Sequence, residues 1–319
     1  MLNKSAMTND SLLQVEGLSR CYGENRAVDA VSFTLGCGQV LGFLGANGAG
    51  KSTTLRMLAG VLAPDAGRIV INGADLLDQP RRAKQAVGYL PEQPPLYREL
   101  TVDEQLQYSA RLHGLNRTGS SQAVARTKAR CGLMEVGRRL IGNLSKGYRQ
   151  RVGIAQAILH KPPVIILDEP TVGLDPIQGQ EIRSLIHELG QENHGVILST
   201  HLLAEVQAAC THVQIMHSGR LVYRGALADL RQQRQSGGWR IGLNAPPPVI
   251  ELARLPGVTR VDDLGDGQFR LHHSPGIALC QPLLERAQTG GWDLWEMTPE
   301  SVGLEQIFVD LMLKGKTAA

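Results

Sequence analysis

GANGAGKST, running from Gly45 to Thr53, fits the pattern GxxxxGK[ST] through Gly45, Gly50, Lys51 and Ser52. Before it, Gln39-Val40-Leu41-Gly42-Phe43-Leu44 reads as a short apolar strand, and after it Ser52 to Ala59 reads as a helix stopped by Gly60. A strand, a Gly-rich turn and a helix start are the context a phosphate loop requires. The glycines let successive backbone N–H groups turn inward onto phosphate oxygens. The helix N-terminus adds unpaired donors and a favourable dipole. The binding backbone is therefore read as Gly45, Asn47, Gly48, Ala49, Gly50, Lys51, Ser52 and Thr53. Lys51 adds a point charge for the outer phosphates, and the Ser52 hydroxyl is placed to bind Mg²⁺.

A second apolar run, Pro163-Val164-Ile165-Ile166-Leu167, has the length and β-branching of a strand buried on both faces. Asp168 and Glu169 follow at its C-terminal end, where open α/β sheets bind ligands. Asp168 fits the Mg²⁺-holding aspartate of phosphate-loop enzymes. Glu169 is placed to polarise an attacking water, a base that a hydrolase needs and a nucleotide-binding regulator does not.

Three further segments complete the set in order: LSKGYRQR (Leu144 to Arg151), GLD (Gly173 to Asp175) and STH (Ser199 to His201). Together the segments resemble the nucleotide-binding subunit of an ATP-binding cassette (ABC) transporter over about residues 12 to 230. The family signature LSGGQ is similar to Leu144-Ser145-Lys146-Gly147-Tyr148, in which Ser145 and Gly147 match and Lys146 and Tyr148 depart. The resemblance implies ATP and Mg²⁺ as ligands and a second copy of the chain as partner. Ser145 and Gly147 of one copy would cap the γ-phosphate on the other. Ser145 also reads as the N-cap of a helix over Tyr148 to Leu159. Tyr22 matches the aromatic that stacks on adenine, Asp175 the loop linking the two nucleotide sites, and His201 the histidine that touches the γ-phosphate and orients water. In the glutamine loop the register puts Glu92 at the family's glutamine position with Gln93 beside it, so either could reach the metal's water shell.

The resemblance implies an α/β fold, a P-loop ABC ATPase core with an antiparallel β subdomain and a helical subdomain carrying the signature. The expected organisation is a loose tail at 1 to 11, the nucleotide-binding domain at 12 to 231, a linker at 232 to 238 and a small α+β accessory domain at 239 to 319. Within the core, residues 12 to 35 alternate like antiparallel strands, and helical patterns between 101 and 142 are broken by the polar stretch Asn116 to Gln122. Residues 177 to 192 read as an amphipathic helix and 213 to 225 as a hairpin. The accessory domain reads as strands at 240 to 243, 258 to 261 and 268 to 271, with helices near 249 to 255, 277 to 289 and 303 to 313.

A net charge of +3 on 319 residues is too small to argue for nucleic acid. Five scattered cysteines show no metal spacing, no apolar run approaches a membrane span and no signal peptide opens the chain, which reads as a cytoplasmic protein. A transporter built on it needs its integral membrane permease as a separate chain, with this subunit peripheral on the inner face of the membrane. Ser-Lys-Gly-Tyr-Arg-Gln, together with Pro-Glu before Leu-Tyr, is similar to exporters of the gliding-motility-associated and multidrug-like groups. The competing function is a non-transport ABC ATPase acting on ribosomes or DNA. Such family members fuse two cassettes or insert a long coiled coil, and this chain has one cassette and no heptad insertion.

Overall fold

The computed structural model describes residues 11–233, 238–274 and 279–299. The expected tail up to residue 10, residues 234–237 of the expected linker and the expected helix at 303 to 313 lie outside them. The chain divides into two compact units, Met1–Gly225 and Ala226–Ala319.

The first unit opens with β1 (Ser11–Tyr22) and β2 (Asn25–Gly36), an antiparallel pair in which Leu13 faces Leu35 and Val15 faces Phe33. Their alternation buries Leu13, Val15, Val31, Phe33 and Leu35 on one side. β3 (Val40–Leu44) is buried throughout and leads through the Gly-rich turn into α1 (Lys51–Leu58). β4 (Ala66–Ile71) and β5 (Ala74–Asp75) complete a four-stranded sheet in the order β2-β1-β4-β5. α2 (Pro80–Gln85) exposes Arg81, Arg82 and Lys84, a solvated helix face, and β6 (Val87–Leu90) follows.

The helical region holds α3 (Val102–Leu112), α4 (Arg117–Arg130) and α5 (Lys146–Ile158). The polar stretch Asn116 to Gln122 does not break the helical pattern as expected. Asn116 is the N-cap of α4, accepting from the Gly119 N–H at 2.8 Å, and the polar residues after it begin the helix. α5 likewise starts at Lys146 rather than Tyr148, directly after Ser145.

β7 (Val164–Asp168), α6 (Pro176–Gln191), β8 (Gly195–Thr200), α7 (Leu203–Ala209), β9 (His212–His217) and β10 (Arg220–Ala226) complete the unit. The second sheet has the order β10-β9-β3-β8-β7-β6. Its β7 side chains split between two cores. Ile165 and Leu167 join the core that contains α5 and α6, and Val164 and Ile166 join the one containing β1, β2 and α1. Cover on both faces explains the unbroken apolar run. The parallel register sets Leu44 beside Thr200 and Asp168 beside Ser199, so three of the motif segments emerge together at the C-terminal ends of neighbouring strands.

The second unit contains α8 (Leu227–Gln233), β11 (Trp239–Leu243), α9 (Val249–Ala253), β12 (Val258–Gly265), β13 (Gln268–His273), α10 (Cys280–Gly290) and β14 (Leu294–Pro299). From β11 onward this is a βαββαβ arrangement with the antiparallel order β12-β13-β11-β14. Its own core joins Ile241, Leu243, Phe269 and Leu271 to Leu252, Leu283 and Ala287. Two features depart from expectation. The division falls at Ala226 and α8 runs into the stretch read as a linker. β14 was not expected, because a register shift against β11 leaves Trp295 as an extra residue and breaks the period-two pattern.

Candidate functional site

Gly48 and Gly50 shape the phosphate loop with φ of 82° and 104°, the left-handed region that glycine adopts without strain. Gly50 also leaves no room for a side chain, since a Cβ there would run into the Ala27 carbonyl oxygen. Gly45 is backed by the Met216 carbonyl in the same way. Lys51 is 5% exposed, and its ammonium donates to the Gly45 carbonyl at 2.7 Å and the Ala46 carbonyl at 3.3 Å. It thus folds back over the loop it belongs to.

Asp168 and Glu169 are both buried at the end of β7. The Ser52 hydroxyl donates to Asp168 Oδ1 at 3.0 Å, joining the first turn of α1 to the strand end. Ser199, on the neighbouring strand, donates to the same oxygen at 2.6 Å and accepts the Glu169 N–H at 2.9 Å. This bond holds Glu169 in a left-handed backbone with φ of 47°, a strained conformation for a non-glycine residue. In the sequence Ser199 stands out only as part of STH. Its role follows from the register of β8 against β7, which no local pattern reveals.

The Glu169 carboxylate faces two basic groups. Lys51 Nζ is 3.7 Å from Oε1, and His201 Nδ1 lies 3.1 Å from Oε2. Burial pushes the Glu169 carboxyl above the usual range, and the hydrogen bond and charge of His201, with the charge of Lys51, oppose that push. A partly desolvated carboxylate of this kind is a stronger base than a free one.

These groups border one cleft of about 470 Å³, which Tyr22, Asn47, Gly48, Gly50, Thr53 and Glu92 also line. Tyr22 ends β1, is 46% exposed and carries the Arg20 guanidinium 5.4 Å from its ring centre. Glu92 and Gln93, equivalent candidates in the sequence, part company here. Glu92 borders both this cleft and a second groove of about 340 Å³, whereas Gln93 lines only the groove, with Leu96, Arg98, Lys146 and Gln150. Ala49 is buried in the loop.

Ser145, Gly147 and Asp175 do not line the Lys51 cleft. Ser145 caps α5, accepting the Tyr148 N–H at 3.4 Å, and Asp175 caps α6, accepting the Gln178 N–H at 2.9 Å. The two caps are neighbours, because Gly147 lies against Gln178 and the Lys146 ammonium against Gly173. A roomier concavity of about 710 Å³ between β2 and β10 contains none of the motif residues, and its Arg26 and Arg220 are both held by Asp29.

Residues 28–172 match the ABC transporter family model. The chain is 42% identical over 212 residues to the ABC transporter ATP-binding protein NatA of Bacillus subtilis, covering 66% of this chain and 86% of that protein. It is 34% identical over 309 residues to the linearmycin resistance ATP-binding protein LnrL of the same organism, covering 94% of this chain and 98% of that protein. A solved structure of the ATP binding subunit of an ABC transporter superposes with a TM-score of 0.65 at 35% identity, over 70% of this chain and 93% of the other.

Proposed function

The chain belongs to the ABC transporter family as an ATP-binding subunit with ATPase activity, and we propose that it is the motor of an exporter, closing as a homodimer on two Mg-ATP and pulling on a separate membrane permease. The observation that carries the dimer is the separation within one copy. The hydrolytic groups line one cleft, and Ser145 and Gly147 stand outside it. A second copy can supply Ser145 and the N-terminal donors of α5 to phosphates held on the first.

In that arrangement ATP lays its adenine on Tyr22 and its phosphates on the N–H groups of Gly45 to Thr53. Lys51 exchanges its carbonyl contacts for phosphate oxygens. The Ser52 hydroxyl and Asp168 carboxylate, 3.0 Å apart, are hard oxygen donors of the kind Mg²⁺ takes, so the residues fit the ion. Bound there, Mg²⁺ supplies charge neutralisation on the outer phosphates. Glu92 borders the cleft and is assigned to the metal's water shell in preference to Gln93. Glu169 takes the proton of the attacking water, and His201 orients Glu169 and that water. Asp175, at the start of α6, lies on the surface through which the two sites communicate.

Two observations support a separate permease, and a third supports export. No helix among the described residues is long and apolar enough to cross a membrane. The groove lined by Gln93, Leu96 and Arg98 borders the Glu92 side of the cleft and is a docking place for a permease segment on the cytoplasmic face. LnrL, a relative named for resistance to linearmycin, aligns along nearly the whole chain. The test is affinity purification from native membranes in mild detergent. A co-purifying polytopic membrane protein is expected, and recovery only in the soluble fraction, alone or with ribosomes, would contradict the proposal.

A further inference from the structure

Glu205 is a buried carboxylate outside the motif set, 8% exposed in the first turn of α7. Both of its oxygens are held by neutral hydroxyls: Oε1 accepts from Thr171 and Oε2 from Thr200. Thr171 is 8% exposed and Thr200 is fully buried. Thr171 follows Glu169 and Pro170 and opens the turn toward Gly173–Asp175, where its carbonyl accepts the Leu174 N–H at 3.2 Å. Thr200 immediately precedes His201, and its hydroxyl also accepts the Leu202 N–H at 3.0 Å.

The position of this bracket is what gives it meaning. The pairing of β7 with β8 ends at Asp168 and Ser199. Beyond that last pair the two chains carry Glu169 and His201, whose relative placement the sheet no longer sets. The bracket joins the same two chains past the end of the ladder, through one rigid carboxylate plane with an acceptor at each end. Packing alone does not account for a carboxylate here, because burying one against neutral donors costs more than burying a hydrocarbon of similar size.

We propose that Glu205 is a positioning residue of the hydrolytic site: by tying Thr171 to Thr200 it sets the distance between Glu169 and His201, and it passes displacements of the Gly173–Asp175 turn on to His201. The proposal rests on reading Glu169 and His201 as the hydrolytic pair.

The test uses the full chain. Glu205→Ala lowers kcat for ATP hydrolysis ~10- to 100-fold with KM and ATP affinity unchanged, since misplacing reacting groups by about 1 Å costs on that order. Thr200→Val, which removes one donor at nearly constant shape, gives a smaller loss of the same kind, and Thr200→Ser restores the rate. The deciding comparison is the double variant. In a His201→Ala background, Glu205→Ala has no further effect, because the bracket acts through His201. A loss that multiplies in that background overturns the proposal, as do changes in KM and affinity that follow a lowered Tm. Should Glu205→Ala not fold, the Thr200→Val and Thr200→Ser pair runs the same cycle. Unchanged hydrolysis in His201→Ala and Glu169→Gln taken singly would instead remove the hydrolytic pair itself, a failure distinct from additivity in the double variant.

Discussion

His201 Nδ1 stands 3.1 Å from Oε2 and 3.2 Å from Oε1 of Glu169. A carboxylate can only accept, so with Glu169 ionised the Nδ1 position carries the proton. The histidine therefore braces the carboxylate from one side while Lys51 stands 3.7 Å away on the other. Two elements far apart in sequence, the end of β7 and the end of β8, meet in this contact.

Lys51→Ala should abolish the tight phase of ATP binding. The ammonium is already desolvated over the loop, so its loss removes charge-assisted bonds to phosphate without a compensating gain in hydration. The expected weakening is ~100-fold or more by equilibrium titration with a fluorescent ATP analogue. Affinity close to that of the parent chain would contradict the phosphate-loop assignment.

The acid limb of the hydrolysis profile should lie above the ordinary glutamate value of 4.5. In the proposed role Glu169 acts ionised, and burial raises its folded-state value, so activity is lost as pH falls through that raised value. For stability the sign is opposite. The fold holds this proton more tightly than the unfolded chain does, so the stabilising effect is complete below 4.5 and disappears as pH rises through the folded value. Glu169→Gln should consequently unfold no earlier than the parent chain in urea at neutral pH. A lower midpoint would show that the carboxylate stabilises the fold.

Ser145 can be tested as cap and as phosphate ligand separately. Ser145→Ala should cost the helix about 0.5–1 kcal/mol, at the weaker end because the capping bond is 3.4 Å long. Ser145→Asp keeps a good cap but places a negative charge where phosphate is to bind. The expected result is parental stability by thermal unfolding and strongly reduced turnover. Parental turnover in Ser145→Asp would leave Ser145 as a cap alone.

Acid should destabilise the first unit through His160. This ring stacks on His113 with centroids 3.7 Å apart, and its Nε2 lies 3.1 Å from the Val87 carbonyl. Burial, reinforced by the charge of His113, pushes it down to about 4. The unfolded chain takes up this proton near 6.5 and the fold resists it, so stability present above 6.5 is lost as pH falls toward 4. The loss is on the order of 3 kcal/mol, and His160→Gln should flatten that part of the urea midpoint profile. An unchanged slope would exclude His160 as the cause.

Much of the proposed hydrolytic centre was legible as sequence because each part is encoded locally. A phosphate loop is built from consecutive backbone groups, so its glycines and its lysine must be neighbours in sequence. A strand covered on both faces must be apolar throughout, which marks Val164 to Leu167 and the carboxylates after it. Contacts made across strands carry no such mark. Ser199 touches both Asp168 and Glu169 only because of the β7–β8 register, and Glu205 meets Thr171 across 34 residues of sequence. Glu92 and Gln93 differ in which hollows they line, a difference that spacing does not report. In the second unit β14 was hidden by the extra residue Trp295, and in the first unit α4 was hidden by a polar opening that is mostly exposed apart from the buried Ser120.

The most direct measurement is sedimentation of Glu169→Gln with Mg-ATP. This variant keeps every binding contact of the cleft and removes the base, a change expected to slow turnover ~100- to 10,000-fold. ATP should then persist and the chain should sediment as a dimer, reverting to monomer when Ser145→Asp is added. A Glu169→Gln chain that stays monomeric in saturating Mg-ATP, or that hydrolyses it at the parental rate, would contradict a motor that closes on ATP between two copies.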